Sequence, residues 1–302
     1  MPAFTLPAGC IPIVCTPFHD DGTVDHESLR REVDWLIERG ATGLATLALA
    51  GEGYKLTDRE RDTVLATVTY QNAGRLPVIA SVDATGTAGS VDRTIRAEAL
   101  GATGLMTMPP SLITPTPEQI IQFYRDVGAA TSLPLILQDA PQITGVSTTP
   151  AIWTELANLV PTLAGLKLEA VPQGPPVSIA TTIAPERLRV YSGWGGISAL
   201  DVLERGADGT MPAPGFTPLF VAIHRAWDAG DRAAAQTLHH QALPFLVWSM
   251  QTLDHSVFAA KQQFHWMGIF SSPHQRQPVI SFDRTTHLQL HRYLDAMYTE
   301  PN

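Results

Sequence analysis

Short runs of apolar residues alternate along the chain with longer stretches that carry a helical period. Continuous apolar runs bounded by turn residues indicate buried strands. Eight such runs fall at residues 10–15, 43–47, 77–82, 104–108, 134–138, 163–167, 188–192 and 209–211. Amphipathic stretches between them predict helices, for example at 27–39, 58–71, 90–100 and 117–131, and several begin with capping and acidic residues. The pattern therefore predicts alternating strands and helices.

One helix-to-strand turn recurs three times. Residues 39–44, 100–105 and 205–210 read Arg-Gly-Ala-Thr-Gly-Leu, Leu-Gly-Ala-Thr-Gly-Leu and Arg-Gly-Ala-Asp-Gly-Thr. The first glycine of each suits a left-handed helix cap, and the second suits a tight entry into a strand. Repeated turns of this kind predict repeated βα units and a parallel sheet.

Eight βα units fit a (β/α)8 TIM barrel, which takes about 250 residues. The eighth unit ends near residue 228, and the stretches 231–251, 253–268 and 284–297 predict additional C-terminal helices. We expect a barrel over 1–228 and a helical extension packed on it over 229–302. A doubly wound open sheet is the alternative, but no Gly-x-Gly-x-x-Gly motif follows the first strand.

Charge and composition limit the kinds of molecule that this protein is expected to bind. The net charge of −9 argues against nucleic acid and anionic membranes. Residues 1–9 lack the features of a signal peptide, and no apolar run is long enough to span a bilayer. Cys10 and Cys15 lie five residues apart on one expected strand and point to opposite faces, so we expect two buried, reduced thiols. These features predict a soluble cytoplasmic protein.

Lysine is rare in this chain. Of 20 basic residues, the lysines are Lys55, Lys167 and Lys261. We expect Lys55 and Lys261 to reach water, because their surroundings are polar or amphipathic. Lys167 instead lies in Leu-Ala-Gly-Leu-Lys-Leu-Glu at 163–169, where burial favours the neutral amine. A neutral amine in a dry site is a carbonyl nucleophile, so a Schiff base is one hypothesis; a structural lysine that pairs with Glu169 is the other.

Glu169 strengthens the catalytic hypothesis. Active sites of barrels lie at the carboxyl ends of the strands, and Lys167 ends the expected sixth strand. Glu169 is two residues further on, so both side chains share a face if the strand continues. The pair then projects into the barrel mouth, as an acid/base pair or as a structural ion pair.

The chain resembles the pyruvate-type class I aldolase superfamily typified by dihydrodipicolinate synthase and N-acetylneuraminate lyase. The matching pieces are Thr-Pro-Phe at 16–18, Gly-Glu at 51–52, Leu-Thr at 56–57, Glu-Arg at 60–61 and Gly-Leu-Lys at 165–167. The likeness extends over nearly the whole chain. It implies that Lys167 forms an imine with the C2 carbonyl of a 2-oxo acid.

Two departures change the expected reaction. The family's Gly-Thr-Thr-Gly-Glu loop reads Ala-Leu-Ala-Gly-Glu at 48–52, and its strand-five tyrosine is replaced by Gln138. Glutamine cannot act as a general acid or base near neutral pH. A mechanism that relies on the tyrosine hydroxyl is therefore disfavoured.

The L-2-keto-3-deoxyarabonate dehydratases, which lack this tyrosine, are similar in four places. These are Gln-Asp-Ala-Pro at 138–141, Lys-Leu-Glu at 167–169, Gly-Trp-Gly-Gly at 193–196 and Glu-Arg-Gly-Ala-Asp-Gly-Thr-Met-Pro at 204–212. This resemblance implies a dehydratase that converts a 2-keto-3-deoxy sugar acid into 2-oxoglutarate semialdehyde. It assigns the acid/base role to Glu169.

The expected site contains further residues. Glycine amides in the turn after strand seven can bind an anion, so Gly193, Gly195 and Gly196 are candidates for holding the substrate carboxylate, with Trp194 as a pocket wall. The resemblance adds Thr16, Gly51, Glu52, Gln138 and Met211 as substrate-binding candidates. We expect no metal and no cofactor.

Three functions stay open from the sequence: a dehydratase, a pyruvate-releasing aldolase, and a non-catalytic barrel that binds a 2-oxo acid. The resemblance also suggests a homo-oligomer, either a tetramer built from dimers or a dimer. The apolar Ala-Leu-Ala stretch at 48–50 favours a substrate that is longer or less polar than a pentonate.

Overall fold

Eight parallel strands form the centre of the molecule. The computed structural model describes residues 6–298. The strands are Gly9–Cys10 (β1), Leu44–Thr46 (β2), Val78–Ser81 (β3), Gly104–Thr107 (β4), Leu135–Asp139 (β5), Leu163–Leu168 (β6), Arg189–Ser192 (β7) and Gly209–Thr210 (β8). They pair in the order β1-β8-β7-β6-β5-β4-β3-β2. A parallel bridge between Ile13 and Ala45 joins the segment after β1 to β2, so the predicted (β/α)8 barrel is confirmed.

Helices separate the strands and continue beyond the last one. They are His26–Glu38 (α1), Asp58–Asn72 (α2), Thr87–Ala99 (α3), Pro117–Ala129 (α4), Pro141–Thr144 (α5), Pro150–Leu159 (α6), Gly174–Ala180 (α7), Ala199–Glu204 (α8), Thr217–Asp228 (α9), Arg232–Ser249 (α10), Leu253–Trp266 (α11) and Arg284–Tyr298 (α12). Within residues 6–298, every helix is too short or too polar to cross a bilayer.

The repeated turns have the predicted backbone. Gly40, Gly101 and Gly206, which follow α1, α3 and α8, have φ of 85°, 87° and 88°. An L-residue with a β-carbon rarely adopts these angles. The three repeated turns in the sequence are thus three helix ends with a left-handed glycine.

The first strand is shorter than predicted. The ladder with β8 ends at Cys10, next to Pro212, which has no N–H to donate to β1. Pro12 likewise has no N–H to donate on the β2 side. The chain stays close to its neighbours through single bonds, from the Ile13 amide to the Pro212 carbonyl and from the Ala45 amide to the Pro12 carbonyl. Cys10 and Cys15 are both buried free thiols, as predicted.

The core has an inner and an outer layer. Ile79, Met106, Ile136, Tyr191 and Met211 meet inside the barrel. The alternate residues of the strands point outward and pack against the helices, as Leu105, Leu137 and Leu166 do. This alternation is the period of a strand, and it directs every second side chain of β5 and β6 towards the barrel axis.

The C-terminal helices share an apolar cluster with the barrel helices. It joins Phe220 of α9 to Leu246 of α10, Phe258 of α11 and Leu290 and Leu294 of α12. The proposed boundary near residue 228 falls between α9 and α10, within this shared cluster.

Candidate active site

A cleft opens at the carboxyl ends of the strands. The space in it that a water-sized molecule can occupy is about 50 Å³, so the cleft is narrow. Strands β5 and β6 supply Gln138 and Lys167, which are paired in register. The lining residues are Ile13, Ala48, Leu49, Ala50, Gln138, Ile143, Lys167, Glu169, Trp194, Gly195, Met211, Ala213, Met250, Leu253 and Ser256.

Lys167 and Glu169 meet in this cleft, as predicted. Lys167 Nζ lies 3.4 Å from Glu169 Oε1, and both residues are buried. Glu169 follows the last residue of β6, but its amide still donates to the Asp139 carbonyl at 2.9 Å. The extended backbone therefore continues for one more residue, and both side chains share the inner face.

Three neighbours fix the Glu169 carboxylate. Gln138 Nε2 donates to Oε2 at 2.6 Å, and the Trp194 amide donates to Oε1 at 3.0 Å. A β-carbon at Gly193 would overlap the carboxylate. Because hydrogen bonds to a charged group are strong and directional, Glu169 is held at one position beside the lysine.

The side chain of Gln138 has one oxygen without a hydrogen-bond partner among the described residues. Its Oε1 is buried and has no hydrogen-bond partner among the described residues, while its amide nitrogen is committed to Glu169. A buried acceptor without a partner is uncommon. Since Gln138 lines the cleft, this oxygen can accept a hydrogen bond from a bound molecule.

The turn after β7 has another role than the one predicted for it. Trp194, Gly195 and Gly196 have φ of 49°, 64° and 77°, which curls the chain tightly over Glu169. The Gly193 amide donates to the Leu168 carbonyl, and the Gly196 amide donates to the Gly193 carbonyl. Neither of these two glycines lines the cleft, so the structure does not bring their amides to the place where a substrate carboxylate was expected. Gly195 and Trp194 do line it.

Thr16, Gly51 and Glu52 lie behind the cleft wall. The Thr16 hydroxyl donates to the Gly51 carbonyl at 2.7 Å, so it supports the loop and does not orient Glu169. A β-carbon at Gly51 would lie 2.5 Å from the Val14 carbonyl oxygen, so this position requires glycine for packing. The structure does not bring these three residues to the cleft with Lys167; the loop presents Ala48, Leu49 and Ala50 instead.

The side chains of Lys55 and Lys261 are buried, contrary to the prediction that their ammonium groups reach water. Both contact the carboxylate of Glu52, Lys55 at 3.0 Å. The side chain of Lys261 is fully buried. Desolvation lowers the pKa of Lys261, and the negative charge of Glu52 opposes that shift.

Sequence patterns missed another wall of the cleft. Met250 comes from the turn between α10 and α11, Leu253 and Ser256 come from α11, and Ile143 comes from α5. Their position depends on how the C-terminal helices pack on the barrel. No local signal in the sequence marks them as site residues.

A parallel barrel that holds a buried lysine against a carboxylate at the carboxyl ends of its strands has the architecture of an enzyme for small carbonyl compounds. Residues 6–297 match the sequence profile described as "Dihydrodipicolinate synthetase family". The chain belongs to the dihydrodipicolinate synthetase family, whose members are lyases and aldolases that work through a Schiff base.

Similar proteins within the family carry different names. The chain is 30% identical to "L-2-keto-3-deoxyarabonate dehydratase" of Azospirillum brasilense, over 93% of this chain and 92% of that protein. It is 30% identical to "Probable 2-dehydro-3-deoxy-D-pentonate aldolase YjhH" of Escherichia coli K12, over 81% and 83%. The crystal structure of dihydrodipicolinate synthase from Rhodopseudomonas palustris superimposes with a TM-score of 0.90 at 29% identity, over 97% of this chain and 99% of that one.

Proposed function

We propose that this protein is a Schiff-base-forming dehydratase of a 2-keto-3-deoxy sugar acid, with L-2-keto-3-deoxyarabonate as substrate and 2-oxoglutarate semialdehyde as product. The observation that carries the proposal is the Glu169 carboxylate, 3.4 Å from Lys167 and held by Gln138. A carboxylate fixed beside the imine nitrogen can move protons near C3, which the glutamine cannot do.

Lys167 and Glu169 suffice for the first half of the reaction. The Lys167 ammonium can pass a proton to Glu169, and the neutral amine then condenses with the C2 ketone and releases water. The iminium withdraws electrons from C3, so Glu169, once ionised, can remove a C3 proton to give the enamine.

The second half eliminates one hydroxyl. The enamine electrons expel the C4 hydroxyl, and protonated Glu169 or a water supplies the proton that makes it water. Loss of a C5 proton and protonation at C3 give an enol, which gains a proton at C4 and loses its hydroxyl proton to become the aldehyde. Hydrolysis of the imine then frees Lys167. The net change is the loss of one water from the sugar acid.

The cleft chemistry supports a substrate with a single carboxylate and an uncharged tail. Among the described lining residues, Lys167 is the one cation, and it is committed to the imine. Leu49, Ile143 and Leu253 make the outer wall apolar, which disfavours a second carboxylate. The unpartnered Gln138 Oε1 is suited to accept from a substrate hydroxyl.

Replacement of Glu169 by Gln tests the proposal. We expect Glu169→Gln to lose dehydratase turnover by about 10²- to 10⁴-fold, the usual contribution of an acid/base group. Imine formation should persist, seen by mass as a borohydride-reduced adduct on Lys167. Glu155→Gln, an exposed acid on α6, is the matched control. Full turnover in Glu169→Gln would exclude the assigned role.

Pyruvate-releasing aldol cleavage is the second candidate. The similarity to the E. coli protein named as a pentonate aldolase favours it. A lactate dehydrogenase assay separates the two reactions, because only cleavage yields pyruvate. Stoichiometric pyruvate from a 2-keto-3-deoxypentonate would replace the dehydratase by an aldolase.

A further inference from the structure

A buried group of charges lies directly behind the cleft wall. Glu52 is fully buried, and its backbone has the left-handed φ of 57°. Its carboxylate contacts Lys261 Nζ and, at 3.0 Å, Lys55 Nζ. The Arg276 amide donates to Glu52 Oε2 at 3.2 Å. A non-glycine residue held in this conformation and fully desolvated needs strong local interactions to stay there.

Lys261 is the partner that comes from a distant element. It lies on α11, and its ammonium donates to the His274 carbonyl at 2.9 Å and sits 4.1 Å from the ring centroid of Phe18. Lys55, by contrast, belongs to the same loop as Glu52 and is three residues away along the chain. The Glu52–Lys261 contact is therefore an ion pair between the loop and α11, which also packs against the loop directly.

The two joined elements pack against each other and form adjacent walls of the cleft. The short 3₁₀ turn Leu49–Gly51 presents Leu49 and Ala50, and α11 presents Leu253 and Ser256. Glu52 follows the turn directly, and Lys261 lies on α11 about one turn beyond Ser256. A β-carbon at Gly53 would overlap the Leu47 carbonyl, so the loop is also packed tightly on its other side.

We propose that Lys261 is a positioning residue for the reaction: its ion pair with Glu52 sets the separation of the two cleft walls and so the affinity for the 2-oxo acid. The proposal rests on the cleft being the site of imine formation. It assigns Glu52 a role behind the wall, where its carboxylate has no contact with substrate. Lys261→Met keeps the apolar stem of the side chain up to Cε and removes the ammonium group that makes the contact.

Borohydride trapping of pyruvate on Lys167 measures the expected effect without depending on the dehydratase reaction. The pyruvate concentration that gives half-maximal adduct should rise about tenfold or more in Lys261→Met, since small displacements of a positioning wall have large effects. The maximal adduct at saturation should stay near that of the wild type. Lys55→Met is the matched control and should shift the half-saturation point far less.

A double variant separates positioning from stability. Lys261→Met leaves Glu52 with less compensation, so the melting temperature of this variant should fall. Glu52→Gln/Lys261→Met should recover part of that loss, because the buried carboxylate is removed as well and the Lys55 ammonium keeps its hydrogen bond to the Arg276 carbonyl at 2.8 Å. Positioning requires the half-saturation point to stay raised in the double variant. Recovery of both quantities together, or no shift in either variant, would overturn the proposal.

A substrate-free measurement gives a second readout. Hydrogen exchange of the amides at 48–53 should speed up in Lys261→Met and in the double variant, and should stay at the wild-type rate in Lys55→Met. Unchanged exchange rates in all three variants would contradict the proposal that the Glu52–Lys261 ion pair holds the loop against α11. Failure of the wild type to trap pyruvate would instead overturn the proposed function, so the two failures are distinguishable.

Discussion

At the scale of single residues, the space around Glu169 is shaped as much by a missing side chain as by the groups that contact it. Gly193 has no side chain, which leaves room for the Glu169 carboxylate. The backbone amide of Trp194 donates a hydrogen bond to the same carboxylate. The turn after β7 therefore acts on Glu169, and its glycines serve packing more than anion binding.

Gly193→Ala should impair catalysis while leaving the fold intact. The new methyl group overlaps the Glu169 carboxylate and pushes it away from Lys167. We expect kcat to fall by roughly 10²-fold or more, as for loss of an acid/base group, in steady-state assays of semialdehyde formation. Gly86→Ala, where φ is −158° and no atom lies within 4 Å of the new carbon, should be neutral. Wild-type kcat in Gly193→Ala would show that Glu169 tolerates displacement.

Part of this site could be predicted from the sequence. Lys167 and Glu169 are two residues apart, and strand alternation alone puts them on one face. The Gln138–Glu169 bond depends on the register of β5 against β6, which no local pattern encodes. Polar residues in α11 give that helix an amphipathic pattern, which led to the wrong prediction that Lys261 reaches water. In the structure, residues 255–261 of α11 are buried on every side of the helix.

At the scale of elements, the start of α1 is fixed by one carboxylate. Asp25 caps the helix by accepting from the Ser28 amide at 2.9 Å, and the hydroxyls of Ser28 and Ser271 also donate to it. Burial raises the pKa of Asp25, but these hydrogen bonds outweigh burial and lower it to about 2 from 3.8. The cap also ties α1 to the segment after α11.

Stability should therefore depend on Asp25 in a defined pH range. Its folded pKa is depressed, so its contribution is complete above about pH 4 and is lost as the pH falls towards 2. We expect Asp25→Asn to lower the free energy of unfolding by about 2 kcal/mol at pH 7 and by roughly half as much at pH 3. Urea unfolding at both pH values measures this.

Asp231→Asn is the control for the Asp25 experiment. Asp231 caps α10 by accepting from the Ala234 amide at 2.9 Å, but it is exposed. Asparagine is an equally good N-cap residue, so this variant should unfold like the wild type at pH 7. An equal and pH-independent loss at Asp25 would mean that packing, and not charge, explains its effect.

Element boundaries were less predictable than element types. The eight strands and the three glycine turns follow from apolar runs and local backbone preferences. The early end of β1 follows from Pro212 on the β8 side and Pro12 on the β2 side, since neither has an N–H with which to extend a ladder.

At the scale of the whole molecule, α12 completes the apolar cluster shared with α9, α10 and α11. Leu294 is fully buried there, whereas Leu288 on the same helix is 48% exposed. The homo-oligomer implied by the resemblance stays a prediction, which sedimentation equilibrium would test.

Leu294→Ala should lower the stability of the folded protein and leave its kcat/KM unchanged. Loss of a buried leucine side chain costs about 2–5 kcal/mol, whereas Leu288→Ala should cost less than about 0.5 kcal/mol. Thermal unfolding measures both, and kcat/KM well below the melting temperature should equal that of the wild type. Equal melting temperatures for the two variants would show that α12 contributes little to the fold.

The burial of all three lysines has a practical consequence. The side chains of Lys55, Lys167 and Lys261 are 1%, 4% and 0% exposed, and the first and last are held in the Glu52 ion pairs. Acylating reagents such as N-hydroxysuccinimide esters should therefore leave the lysines of the native protein unmodified, as peptide mapping would show. A small aldehyde or ketone that enters the cleft should label Lys167 alone, so the protein can be tagged at one chosen lysine without mutagenesis.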